Sequence, residues 1–259
     1  LMSIKVYDKY FKRDWLYVPE SDLGRFREFC EKHQKFIAKP RFGSCAKNVS
    51  LIDTRKHNDL YSLFLSLGNG DSILEELIVQ HPKMGSLHPP SVNSLRITTV
   101  IAEHGAEIMI ATLRMGNRNS FVDNRSTGGI VASVEPKTGI VYTTGVDKWL
   151  KRYIYHPITG VQIVGFQIPM WDAIIHTTIE IAETVPQIMY AGWDIALSDK
   201  GVMLIEGNGH AMMYNQQMAD QIGKWPQYRK WLNQVSGYVK KCDKGHKPKP
   251  SCPRDSVRN

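Results

Sequence analysis

Residues 192–210 read GWDIALSDKGVMLIEGNGH, and the reading of this stretch decides the rest of the chain. WDIAL and VMLIEGN alternate between apolar and other residues, with the turn signal Ser198-Asp199-Lys200-Gly201 between them. The pattern predicts a β-hairpin. With a three-residue loop, Asp199-Lys200-Gly201, and Gly201 at positive φ, Ser198 pairs with Val202 and Asp194 falls opposite Glu206. Asn208 then shares the face of Glu206, because side chains alternate along a strand. Two facing carboxylates repel each other. A hard divalent cation removes that penalty, and the oxygen set of Asp194, Glu206 and Asn208 suits magnesium. An ordinary hairpin with solvated acidic residues is the other reading of the same spacing.

Directly upstream, WDAIIHTTIEIAETV (171–185) carries apolar residues at 174, 175, 178/179 and 182 and predicts an amphipathic helix. Before it lie two strong strands, SVNSLRITTVIAE (91–103) and AEIMIATLRMG (106–116), joined at His104-Gly105 as an antiparallel pair. Arg96 lies in the first and Arg114 in the second, each flanked by apolar residues. Each is expected at a site or an edge, as a salt-bridge member or a phosphate clamp. The loop in FVDNRSTGG (121–129) holds Asn124, Gly128 and Gly129. Its Gly-Gly pair permits either close backbone approach or tight packing. GIVASV and GIVYTT follow as short strands.

Nearer the N-terminus, KFIAKP (35–40) reads as a buried strand with Lys39 at its end. A buried ammonium needs a partner, and a phosphate would serve; a lysine that snorkels out needs none. In RFGSCAKNVSLID, a loop with Gly43, Ser44 and Lys47 leads into a strand and can cradle phosphate through backbone amides. NDLYSLFLSL reads as a short helix, and ILEELIVQH (73–81) as a strand-like run interrupted by Glu75 and Glu76. Residues 5–34 read as helical, with Ser21 or Asp22 as N-cap and Phe26, Phe29 and Cys30 facing the core. Residues 214–239 read as helical with a break near Trp225-Pro226. The order of elements is an α+β pattern.

Composition narrows the class. The 259 residues are 42% hydrophobic and 22% charged, which fits a soluble globular chain of one large or two small domains. No apolar run approaches the length that crosses a bilayer. LMSIKVYDKY is not a signal peptide, so a cytoplasmic protein is expected, and the opening Leu1-Met2 reads as a trimmed end. Cys30, Cys45, Cys242 and Cys252 form no CxxC pair and are expected to be reduced; Cys242, His246 and Cys252 fit no standard zinc spacing. Of the net charge of +8, residues 240–259 carry +5. That segment is expected to be a flexible basic tail, and the charge therefore does not point to nucleic acid.

Over roughly 35–210 the chain resembles the ATP-grasp superfamily, and within it the sugar-transfer-associated ATP-grasp proteins. The resemblance rests on KFIAKP, EELIVQHP, SVNSLRITT, LRMGN, VDNRSTGG, HPITG…GFQIP and GWDIALSDKGVMLIEGN in that order. It implies an ATP-grasp fold, two α+β subdomains clasping ATP on largely antiparallel sheets. The expected divisions are a helical lead-in at 1–34, a small subdomain at 35–80, a large subdomain at 81–239 and the tail at 240–259. By the same resemblance Lys39 contacts ATP phosphates, and Lys47 belongs to the phosphate loop. Glu75, Glu76, Leu77 and Ile78 form the adenine-binding hinge, and Gln80 lies where it reaches the ribose. Arg96 sits near the γ-phosphate, with Arg114 as a second catalytic candidate. Asn124, Gly128 and Gly129 close over the nucleotide, and Asp194, Glu206 and Asn208 hold magnesium. The implied activity is an ATP- and Mg2+-dependent carboxylate–amine ligase working through an acyl phosphate and forming an amide in cell-surface glycan or nucleotide-sugar biosynthesis. The partners are then ATP, a carboxylate donor such as a uronic-acid sugar or glycan, and an amine acceptor, with a partner domain or oligomer completing the acceptor site. The alternatives are an ATP-grasp kinase acting on a sugar hydroxyl, with His210 or Asp123 as base, and a non-catalytic nucleotide-binding scaffold.

Overall fold

A computed structural model describes residues 2–42, 48–117, 128–209 and 211–242. The fold is α+β, and its contacts divide it into two units, Leu1–Val79 and Gln80–Asn259.

The first unit holds a four-stranded antiparallel sheet in the order β1-β4-β2-β3, built from β1 (Trp15–Tyr17), β2 (Lys35–Pro40), β3 (Ser50–Asp53) and β4 (Ser72–Glu76). Helices α1 (Met2–Phe11), α2 (Leu23–Lys32) and α3 (Leu60–Asn69) accompany it. Helix α2 begins where its sequence says it should, because the Asp22 carboxylate accepts the Arg25 N–H and so satisfies one open donor of the first turn. Asp59 caps α3 in the same way through the Tyr61 N–H. The core joins Phe26, Phe29 and Cys30 of α2 to Phe36 and Ala38 of β2, Leu63 and Leu67 of α3 and Leu74 of β4. Each large apolar side chain buried there stabilises by about 1.5–3 kcal/mol. The helical reading of residues 5–34 misses β1, whose three residues pair with Ile73–Glu75.

The second unit is organised on a seven-stranded antiparallel sheet in the order β11-β10-β5-β6-β7-β8-β9. Its strands are β5 (Ser94–Ala102), β6 (Gly105–Met115), β7 (Ile130–Val134), β8 (Gly145–Val146), β9 (Arg152–Tyr153), β10 (Tyr190–Ser198) and β11 (Gly201–Asn208). A one-turn helix, α4 (Pro82–Gly85), precedes β5; α5 (Trp171–Thr184), α6 (Tyr214–Asp220) and α7 (Trp225–Cys242) complete the unit. Helix α5 buries Trp171, Ile174, Thr178, Ile181 and Ala182, one stripe at helical spacing, and packs on β5, β6, β10 and β11. Tyr228, Trp231 and Val235 of α7 pack on Val100, Met109, Ile110 and Tyr190. The segment expected as a second strand, GIVYTT, makes only isolated bridges, Val134 with Val141 and Ile140 with Gln167. Trp225-Pro226 opens α7, and the break between α6 and α7 lies at residues 221–224, where Gln221 takes a left-handed φ of 59°.

The hairpin β10–β11 reaches the expected pairing by a different route. Its turn is Asp199-Lys200, so Ser198 pairs with Gly201, not Val202; Gly201 does take a positive φ, 90°. Left alone, that register would set Asp194 opposite Ile205. A β-bulge at Ile205 absorbs one residue, and Asp194 pairs with Glu206 after all.

Candidate functional site

Four neighbouring strands bring charged side chains onto one face of the larger sheet. On β5, Arg96 lies directly opposite Asp194 of β10, which lies directly opposite Glu206 of β11. On β6, Arg114 is two residues beyond Thr112, the partner of Arg96, and Asn208 is two beyond Glu206. Period-two alternation therefore places all five on the same side. Farther along the strands that side carries Val100 and Tyr190, under α7.

Asp194 is the hub. Arg96 grips it in a bidentate fork, Nε to Oδ1 and Nη2 to Oδ2 at 2.9 Å, and Arg114 Nη1 donates to Oδ2 at 2.7 Å. The Asp194 and Arg114 side chains are almost fully buried, Arg96 is partly accessible, and Glu206 is exposed. Burial alone would raise the Asp194 pKa. The Arg114 and Arg96 guanidiniums override it and hold the carboxyl below its ordinary value of 3.8. Asp194 also engages the Glu206 side chain, so two carboxyl groups meet at the exposed end of the cluster. Asn208 Nδ2 donates to Glu206 Oε1 at 3.1 Å, leaving its amide oxygen as an acceptor. Gly192 precedes Asp194 by two residues on the same face. A Cβ there would lie 2.6 Å from the Ala211 Cβ and 3.0 Å from the Arg96 Cδ, so the absence of a side chain lets Arg96 lie flat across the strand.

In the first unit a second charge cluster forms around Glu75. Arg13 donates to its Oε2 through Nε at 3.1 Å and Nη2 at 2.6 Å, and Lys39 Nζ pairs with Oε1. Burial would raise the Glu75 pKa, but the charges of Arg13 and Lys39 keep it below its ordinary 4.5. Lys39 therefore finds its counter-charge in a buried glutamate. Arg13 went unnoticed in the sequence, where nothing in FKRDWLY marks it. Glu76 accepts the Asp14 N–H at 3.0 Å, and Leu77 and Ile78 follow β4 outside any regular element.

Gln80 is occupied within its own unit. Its amide nitrogen donates to the Ser91 carbonyl, and its oxygen accepts from Asn93 N at 3.0 Å and Asn93 Nδ2 at 3.1 Å. Beside it, His88 Nδ1 meets Ser91 Oγ at 2.9 Å and His156 Nε2 meets the Gly116 carbonyl at 2.9 Å, a buried polar cluster that sequence reading missed. Asn117, next along the chain, donates to the carbonyl of Gly128, whose φ of 103° suits glycine. Gly129 is buried. Lys47 and Asn124, with Asp123 and His210, lie outside the described residues.

Both central carboxylates titrate in the acid range, which predicts an acid limit to stability. A depressed folded pKa contributes stability that is present above the unfolded value and is lost as pH falls through the folded one. Stability is therefore expected to hold down to the ordinary values of 4.5 for Glu75 and 3.8 for Asp194 and to fall steeply below them. Urea midpoints measured across a pH series check this, and a midpoint unchanged down to about pH 2 would contradict it.

Comparison with solved structures places this geometry in a known fold. The ATP-grasp ligase PsnB complexed with minimal precursor is similar at a TM-score of 0.55 and 14% identity, over 90% of this chain and 60% of that one. The D-alanine–D-alanine ligase from Bacillus anthracis is similar at a TM-score of 0.51 and 14% identity, over 94% of this chain and 67% of that one. The chain thus spans three-fifths of the length of the PsnB chain it matches. No curated protein matches the sequence. These structures fix the fold as ATP-grasp, and the family model described as sugar-transfer associated ATP-grasp matches residues 9–235, so the chain belongs to that family.

Proposed function

We propose that the protein is an ATP- and magnesium-dependent ligase that activates a carboxylate as an acyl phosphate and passes the acyl group to an amine. The observation that carries this reading is the row Arg114, Arg96, Asp194, Glu206 and Asn208 across four adjacent strands of an ATP-grasp fold. Phosphoryl transfer needs charge neutralisation and alignment more than it needs a protein nucleophile. Arg96, the more accessible of the two arginines, supplies a cation where negative charge develops on the transferring group. Arg114 is buried and acts by holding Asp194, which in turn fixes the plane of the Arg96 guanidinium.

The residues present fit magnesium. The Glu206 carboxyl and the Asn208 amide oxygen, with the arginine-held Asp194 carboxylate beside them, are a hard-oxygen set of the kind magnesium takes. The ion bound there would neutralise phosphate charge. In the first unit, Lys39, paired with one oxygen of Glu75 while Arg13 holds the other, is the phosphate-contacting lysine, and the backbone of Glu75–Ile78 is the adenine-binding segment. Cys30 is no rival nucleophile: it is buried, and burial pushes its thiol up to about 11. For substrates, the family's association with sugar transfer points to a sugar or glycan, and a uronic-acid carboxylate joined to an amino acid or small amine is its concrete version.

The test is to supply ATP, magnesium and a panel of uronic-acid sugars with hydroxylamine as a trapping amine. A ligase yields ADP, free phosphate and a hydroxamate. ADP with a stable phosphorylated sugar and no free phosphate would instead mark a kinase.

A further inference from the structure

The far edge of the larger sheet carries a feature that the charge cluster does not use. Between β8 and β9, the residues DKWLK (147–151) form a turn whose tip is Trp149 and Leu150, 57% and 59% exposed. This tip is built and held. Asp147 is buried, and its Oδ1 accepts the Trp149 N–H at 2.8 Å and the Lys151 N–H at 3.0 Å, while its Oδ2 accepts the Tyr153 hydroxyl at 2.9 Å. Leu150 sits at a φ of 66°, a left-handed conformation that costs a leucine free energy. A buried carboxylate and a strained backbone thus hold two large apolar side chains out into water.

Around the tip, Lys148, Lys151 and Arg152 are cationic, and from Thr144 to Ile158 the sole acidic residue is the buried Asp147. Ile154 and Ile158 add exposed aliphatic surface. Arg152 Nη1 also donates to the Ala219 carbonyl at 3.3 Å, which ties this edge to the segment that exposes Ile222 and Trp225.

We propose that this edge docks the protein on an anionic lipid bilayer, with Trp149 and Leu150 entering the headgroup–acyl boundary and the flanking cations meeting lipid phosphates. Tryptophan and cations favour that boundary, and an aliphatic side chain gains from acyl chains. An acidic polymer would reward the aromatic rings and the charge, but not Leu150, Ile154 or Ile158. A second copy of the chain would set like charges against each other. The +5 carried by residues 240–259 adds to the attraction.

The test uses the full chain in flotation with vesicles of phosphatidylcholine alone, or with about 30% phosphatidylglycerol. The protein is expected to float with the anionic vesicles, and less so as salt rises. Trp149→Ser combined with Leu150→Asn is expected to lower partition by about tenfold or more. Asparagine tolerates the left-handed turn, so the melting temperature of this variant should match that of the parent. The proposal is overturned if the parent ignores anionic vesicles. It is equally overturned if the variant floats as well as the parent, which would assign binding to the basic tail. Retention on an acidic polysaccharide through the same residues, without vesicle binding, would replace lipid by glycan.

Discussion

Glu206→Gln is expected to lower ATP turnover by about a hundred- to a thousandfold while leaving the folded protein intact. Glu206 is exposed on β11, and the neutral amide keeps its size and much of its hydrogen bonding. What changes is charge at the outer end of the cluster, where Asn208 and Asp194 meet it. Loss of that charge weakens cation binding and leaves the phosphates less neutralised. The measurement is ADP release at saturating magnesium, beside a thermal melt. Turnover within a factor of a few of the parent would remove Glu206 from the site.

Asp194→Ala is expected to cost stability as well, by about 3–5 kcal/mol. Its carboxylate is shared by Arg96 and Arg114, and Arg114 is buried. Deleting the carboxylate removes the counter-charge that Asp194 gives to a buried guanidinium, which costs more than the ion pair itself contributes. Chemical unfolding measures the loss. The double variant Asp194→Leu with Arg114→Leu removes a buried charge of each sign and should recover a substantial part of it. If the single and double variants are equally unstable, the cost lies in packing and not in the counter-charge lost to Arg114.

These variants probe different ends of one row of side chains, and only part of that row was legible in the sequence. Alternation in WDIAL and VMLIEGN places Asp194, Glu206 and Asn208 on one face, and the structure does the same. The route was not legible. The predicted three-residue loop is a two-residue turn, and the bulge at Ile205 restores the pairing, because a turn motif alone does not reveal a compensating bulge downstream. Arg96 and Arg114 could be placed in strands by their apolar flanks, but not paired to a residue 80 or more positions away. The partner of Lys39 is a stronger example. Local sequence leaves a lysine ending an apolar strand either to snorkel out or to find a counter-charge, and a phosphate and a glutamate supply the latter equally. The structure supplies Glu75, shared with Arg13 from 62 residues earlier.

The elements missed outright are short. Trp15–Tyr17 has too few residues to express a period of two, and its pairing with β4 is set by tertiary contact. The converse error is GIVYTT, where a strand-like composition yields bridges but no ladder. Nothing in the sequence of the DKWLK turn says whether its Trp-Leu tip is buried or exposed, and that exposure is a fact of the fold alone.

The measurement that tests the account most directly is the thermal stability of the protein titrated with ATP, with and without magnesium. A ligand that binds only the folded state stabilises it by roughly 2.7 kcal/mol at a hundred times its dissociation constant. ATP with magnesium is expected to raise the melting temperature of the parent, ATP with a chelator to do so much less, and Glu206→Gln to lose most of the difference between the two. A parent melting temperature that ignores ATP at millimolar concentration in the presence of magnesium would contradict the account.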